Sequence, residues 1–102
     1  MVMSKFVLLE GTKGVYKFWC EGCKTEHQVW TDAQDGVDPW MWNKDTERPT
    51  VSPSVLVNAD LFGQRNPNQP VCHSFIKDGM IQYLNDCTHE LAGRTVELKE
   101  IE

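Results

Sequence analysis

Apolar and polar positions alternate along much of this chain with a period near two residues, the pattern of half-buried strands rather than helices. The clearest stretch is residues 71–89, V-C-H-S-F-I-K-D-G-M-I-Q-Y-L-N-D-C-T-H. Asp78-Gly79 stands between two apolar-rich runs, and a tight primed turn needs the positive φ that Asp and Gly tolerate. With those two residues as the loop, Lys77 faces Met80, Phe75 faces Gln82 and Cys72 faces Asn85. Side chains alternate faces along a strand. Cys72, Ser74 and Ile76 therefore share a face with Ile81, Tyr83, Asn85 and Cys87, whereas His73 shares the other with Leu84 and Asp86.

The remaining elements follow from the same pattern. Residues 15–20, V-Y-K-F-W-C, predict a strand, and residues 26–30 predict its return partner. Trp40 and Trp42 fall two apart, hence on one face of a short strand. Val51, Val55 and Val57 alternate, while Pro53 cannot donate to a ladder and predicts an edge strand or a bulge. Residues 88–93 suit a single helical turn ended by Gly93, residues 94–98 a last strand, and residues 99–102 a frayed tail. The expected fold is mainly β: a small antiparallel sheet or half-barrel of about five to seven strands with a zinc-knuckle hairpin. An α+β domain is the alternative, if the N-terminal segment or residues 88–93 form a longer helix.

The 102 residues suggest one domain, 1–102. No apolar run approaches the roughly 18–20 residues that span a bilayer, and the apolar stretch at residues 6–9 is too short for a secretory signal. A cytoplasmic, membrane-free protein is expected. There, thiols stay reduced and cysteine pairs more often bind metal than form disulfides. The net charge of −5 argues against broad nucleic-acid binding, which wants a basic face. Asp32, Asp35 and Asp38 crowd one loop. With Trp40 and Trp42 they form a candidate partner-binding surface, set against the plainer reading of a solvated loop and a core-rim indole pair.

The candidate chemistry lies in the cysteines. Cys20-Glu-Gly-Cys23 is a C-x-x-C knuckle in which Gly22 permits the tight turn, and Cys72 and Cys87 form a same-face pair at the open end of the hairpin. Four thiolates suit a tetrahedral structural zinc. His89 follows Cys87 by two and competes with it for the fourth position, while His27 reads as a surface or core-edge histidine. By parity His73 points away from Cys72 and beside Asp86, which resembles half of a general acid–base pair. A carboxylate on an imidazole is also a common structural hydrogen bond. No nucleophile elbow, P-loop or H-E-x-x-H helix is present.

Several motifs together, W-x-W-N at 40–43, P-T-V-S-P-S at 49–54, C-H-S-F-I-K-D-G at 72–79 and D-C-T-H-E-L-A-G-R-T-V at 86–96, resemble a family of small phage and prophage proteins often labelled "ammonia monooxygenase". The resemblance covers roughly residues 15–98. It implies that the C-x-x-C, C-H-S-F and D-x-x-H-x-L-A-G segments are a signature. It also implies that the position of Cys87 admits other residues, which keeps His89 as a fourth ligand. The leading expectation is a non-enzymatic, zinc-stabilised module that binds a host protein. The alternatives are a metal-dependent hydrolase or nuclease using His73, Asp86 and His89, and a nucleic-acid-binding zinc ribbon.

Overall fold

The computed structural model describes residues 3–32, 39–58 and 67–102. Eight strands lie among them: β1 (Val7–Leu8), β2 (Val15–Cys20), β3 (Thr25–Trp30), β4 (Met41–Trp42), β5 (Val51–Val57), β6 (Cys72–Lys77), β7 (Met80–Tyr83) and β8 (Thr95–Glu97). They form two antiparallel sheets, β1-β2-β3 and β4-β5-β6-β7-β8, and neither closes into a barrel. Every connection between neighbours follows chain order, so the topology is a pair of meanders. No helix occurs among the described residues, which removes the α+β alternative. Residues 89–94 instead make successive hydrogen-bonded turns, with Ala92 N–H on the His89 carbonyl and Arg94 N–H on the Leu91 carbonyl.

The turn between β6 and β7 forms as its residues dictate. Asp78 and Gly79 both have positive φ, 55° and 76°, and Lys77 pairs with Met80 and Phe75 with Gln82. The turn is also tied down from outside. Asp78 N–H donates to Thr50 Oγ1 at 2.8 Å, Gly79 N–H to the Pro49 carbonyl, and Leu98 N–H to the Gly79 carbonyl. Beyond β7 the pairing continues through Leu84 N–H on the His73 carbonyl.

β5 is an interior strand between β4 and β6, with its register to β6 broken between Val51 and Val55. Val51 pairs with Ile76 and Val55 with Ser74, so three β5 residues, Ser52, Pro53 and Ser54, stand against the single Phe75. Of the two roles open to Pro53, the bulge is realised and the edge is not.

One core cluster draws on both sheets. Phe6, Phe18, Cys20 and Val29 meet Val51, Val55, Cys72, Ile76, Ile81 and Tyr83. Phe6 stacks on Phe18 at 5.7 Å and on Trp42 at 6.2 Å, and Tyr16 lies 4.5 Å from Trp42. Trp40 packs edge-on against Trp30 at 4.4 Å. Both candidate partner-binding indoles are thus half-buried against other aromatics. Asp32 lies beside Gly14, and Asp35 and Asp38 lie outside the described residues. The C-terminal segment is not frayed: Ser4 and Ile101 exchange two backbone hydrogen bonds, of 2.9 and 2.7 Å.

Phe6 is the bridge between the sheets, although it lies just outside β1. Phe6→Ala is expected to lower unfolding free energy by about 3–5 kcal/mol. Leu8→Ala, at an exposed position, should move it by no more than about 0.5 kcal/mol. Denaturant melts of the two variants make the comparison.

Candidate functional site

Two constellations flank β6, one on each face. On the inner face Cys20, Cys23, Cys72 and His89 bring four ligand atoms within 4.8 Å of one another. The knuckle after β2 supplies the first two, with Lys24 N–H closing the turn onto the Cys20 carbonyl at 2.8 Å. Cys20 Sγ lies 3.8 Å from Cys72 Sγ, and Cys23 N–H donates to Cys20 Sγ at 3.4 Å. Tyr83 ties knuckle to hairpin: its hydroxyl lies 3.4 Å from Cys20 Sγ and accepts from Gly22 N–H at 3.2 Å. Its ring meets the His89 imidazole edge-on at 4.7 Å.

The electrostatics of this cluster favour a cation. Hydrogen bonds from Cys23 and then Cys72 hold the Cys20 thiol far below the ordinary thiol range, with His27 and Tyr83 adding to the effect. Donation to Cys20 conversely pushes Cys23 up to about 12 and Cys72 higher still. Hydrogen bonding among the three sulfurs thus favours negative charge on Cys20 over its two neighbours. His89 Nε2 is buried with no hydrogen-bond partner, while Nδ1 accepts from Leu91 N–H at 3.2 Å. A buried ring nitrogen beside three sulfurs makes His89 a candidate ligand. His89 thus joins Cys20, Cys23 and Cys72, and Cys87 does not belong to this group.

Cys87 has a different neighbourhood. Its Sγ accepts from His73 N–H and donates to the His73 carbonyl, both at 3.2 Å. The thiol thereby brackets the backbone of one residue, His73.

On the outer face His73 connects two other side chains. Its Nε2 lies 2.8 Å from Ser54 Oγ, and its Nδ1 lies 2.9 Å from Asp86 Oδ2. Register explains the first contact. Leu56 pairs with His73 across β5 and β6, and Ser54, two residues before Leu56, projects to the same face. Trp40 Nε1 donates to the Ser54 carbonyl at 3.4 Å and holds the bulged segment in place. The second contact is made beyond the end of β7, where Cys87 N–H closes a turn onto the Leu84 carbonyl and brings Asp86 beside His73. Nucleophile, imidazole and carboxylate in hydrogen-bonded series are the recognition mark of a Ser-His-Asp triad, which is identified by geometry and not by chain order.

Residues 2–84 match the model of the BubE family, described as a bacterial ubiquitination-like system serine protease. The chain belongs to the BubE family. No curated protein and no solved structure matches it. The BubE match overturns the expectation of a non-enzymatic binding module, because the family is described as one of serine proteases. It also carries the name of a ubiquitination-like system, a role that the resemblance drawn from the motifs left unassigned. Ser54 and His73 lie within the matched residues, and Asp86 lies two beyond them.

The metal-hydrolase alternative grouped His73, Asp86 and His89. The structure joins the first two and places His89 with the cysteines across the sheet. Ser54 is the member of this hydrogen-bonded series that sequence reasoning missed. Its only signal is a position inside the P-T-V-S-P-S motif. No helix among the described residues is long and apolar enough to cross a membrane.

Gly22 is the cradle for His89. A Cβ on residue 22 would stand 2.3 Å from His89 Cε1 and 2.5 Å from Nε2. Gly22→Ala is therefore expected to push the imidazole out of the cluster and destabilise the domain by about 1–3 kcal/mol. A thermal melt of the variant beside the parent, each with and without divalent metal, measures both effects.

Proposed function

We propose that this protein is a serine protease acting within a bacterial ubiquitination-like system, with Ser54 as nucleophile, His73 as general base and acid, and Asp86 as the group that orients His73. The observation that carries the reading is the continuous Ser54–His73–Asp86 relay of 2.8 and 2.9 Å, and the family description supports the same chemistry. Asp86 accepts the Nδ1–H of His73, which leaves the Nε2 lone pair directed at Ser54 Oγ. As Oγ attacks the scissile carbonyl carbon, its proton passes to Nε2, and the imidazolium is stabilised by the Asp86 carboxylate. Collapse of the tetrahedral intermediate breaks the C–N bond, and Nε2 returns the proton to the departing amine. The acyl group is left on Ser54 as an ester. Water then repeats the sequence: Nε2 takes its proton, the hydroxide attacks the ester, and Ser54 Oγ leaves with that proton.

Zinc is the ion we assign to Cys20, Cys23, Cys72 and His89. Two sulfurs each about 2.3 Å from a tetrahedral zinc stand about 3.8 Å apart, which is the Cys20–Cys72 separation. Four protein ligands leave no open position, so the ion's contribution when bound is to cross-link the knuckle to β6 and the turn at residue 89. It takes no part in the proton transfers above.

A fluorophosphonate probe tests the nucleophile. It is expected to add one phosphonyl group on the peptide containing Ser54, and heat denaturation or Ser54→Ala should abolish labelling. Ser54→Ala and His73→Ala should each lower kcat by ~10³-fold or more. Asp86→Asn should cost less, about 10²-fold. Its side chain is 59% exposed, against 24% for His73, and solvent screens its hold on the imidazolium. Labelling on another residue would remove Ser54 from the role.

Elemental analysis of protein purified without added metal should give about one zinc per chain. A strong chelator should lower the melting temperature, because metal-binding energy in such sites is folding energy. A melt unmoved by chelation would remove the ion from the structure's stability.

A further inference from the structure

Among the described residues, most of the large exposed apolar side chains lie on the outer face of the five-stranded sheet. Of six large hydrophobic residues that are exposed among those described, Met41, Leu56, Phe75 and Met80 lie on this face, and Met3 and Leu8 lie elsewhere. The register fixes their placement. Met41 pairs with Ser52, Leu56 with His73, Phe75 with Gln82 and Lys77 with Met80. Phe75 is 45% and Met80 37% exposed. Between them a groove of about 450 Å³ runs across β5, β6, β7 and β8, lined by Ser52, Phe75, Met80, Gln82 and Thr95. Clustered apolar exposure of this kind marks a binding surface, and the volume falls in the range of ligand sites.

The groove begins where the triad ends. Ser52 precedes Ser54 by two residues on β5, and Phe75 follows His73 by two on β6. His73 and Phe75 share a face of β6 and lie about 7 Å apart, and Ser52, across the bulge from Ser54, pairs with the exposed Met41. An extended polypeptide advances about 3.3 Å per residue. A substrate whose scissile carbonyl sits at Ser54 Oγ therefore reaches Phe75 about two or three residues from the cut bond. We propose that this groove is a specificity subsite that seats an apolar side chain of the polypeptide substrate, with Phe75 and Met80 as its walls. The assignment rests on Ser54 being the nucleophile. The occupant is a stretch of substrate chain because the groove's Ser52 and Phe75 each stand two residues along β5 and β6 from Ser54 and His73. Binding energy gathered there, away from the reacting atoms, would be available for catalysis.

The test compares the parent with Phe75→Ala, Met80→Ala, Phe75→Leu and Ser54→Ala on two probes. One is p-nitrophenyl acetate, too small to reach the groove. The other is a mixture of internally quenched peptides whose cleavage positions are read by mass spectrometry. The expected result is a preference for Leu, Met or Phe about two or three residues from the cleaved bond. Phe75→Ala and Met80→Ala should lower kcat/KM for those peptides by about tenfold or more, with acetate hydrolysis within about twofold of the parent and unchanged melting. Phe75→Leu should restore most of the loss. Apolar preference unaltered by the alanine variants, or Ser54-dependent acetate hydrolysis with no peptide cleaved, would overturn the subsite and leave the nucleophile standing. Acetate hydrolysis that survives Ser54→Ala would overturn the nucleophile and the subsite with it. A dimer in sedimentation that Phe75→Ala dissolves would overturn it in favour of a second copy of the chain as occupant.

Discussion

Cys72 and His73 are neighbours in the chain and leave β6 on opposite faces, and both constellations depend on that alternation. Inward, the Cys72 thiol completes a sulfur cluster with Cys20, Cys23 and His89. Outward, the His73 imidazole joins Ser54 to Asp86. A strand held at both edges by β5 and β7 lets neither residue rotate to the other side. Anything that fixes Cys72 also fixes the backbone from which His73 projects. Cys87 adds a clamp of its own by engaging the N–H and carbonyl of residue 73 with one thiol.

The division of labour between faces keeps the chemistry separate. Cys20 and Cys72 are buried with the core, and Cys23 and His89 are half-buried beside them. The Ser54–His73–Asp86 series lies on the opposite face of β6. A chain of 102 residues has limited core to spend on rigidity. A metal cross-link between the β2 knuckle and β6 would supply rigidity behind the imidazole, where it is needed for geometry to be held within fractions of an ångström.

Much of this is legible in the sequence, and what is not has a physical reason. Period-two alternation and Asp78-Gly79 specify the 72–83 hairpin, its register and the faces of Cys72 and His73, because these are local properties. The C-x-x-C knuckle and its partner Cys72 are legible for the same reason. The choice of His89 over Cys87 is not, since it turns on how residues 84–89 fold back and on Gly22 making room for a ring. Ser54 is hidden more deeply. Its partner is nineteen residues away on another strand, and the register between those strands is broken at Pro53, so parity counted from the valines does not reveal what Ser54 faces. The absence of a nucleophile-elbow motif then favours a non-enzymatic reading. It fails because a triad is a spatial arrangement that any scaffold can assemble.

The two-residue turn at Asp78-Gly79 has an evolutionary corollary. Because β7 is counted from that turn, one residue inserted or deleted between Ser74 and Tyr83 would exchange the two faces of β7. Ile81 and Tyr83 would leave the core, and the Tyr83 hydroxyl would lose its contact with the Cys20 knuckle. Substitutions can be sampled one at a time in this stretch, whereas length can drift only in steps of two. Relatives that keep the same hairpin should therefore differ in its length, where they differ, by an even number of residues.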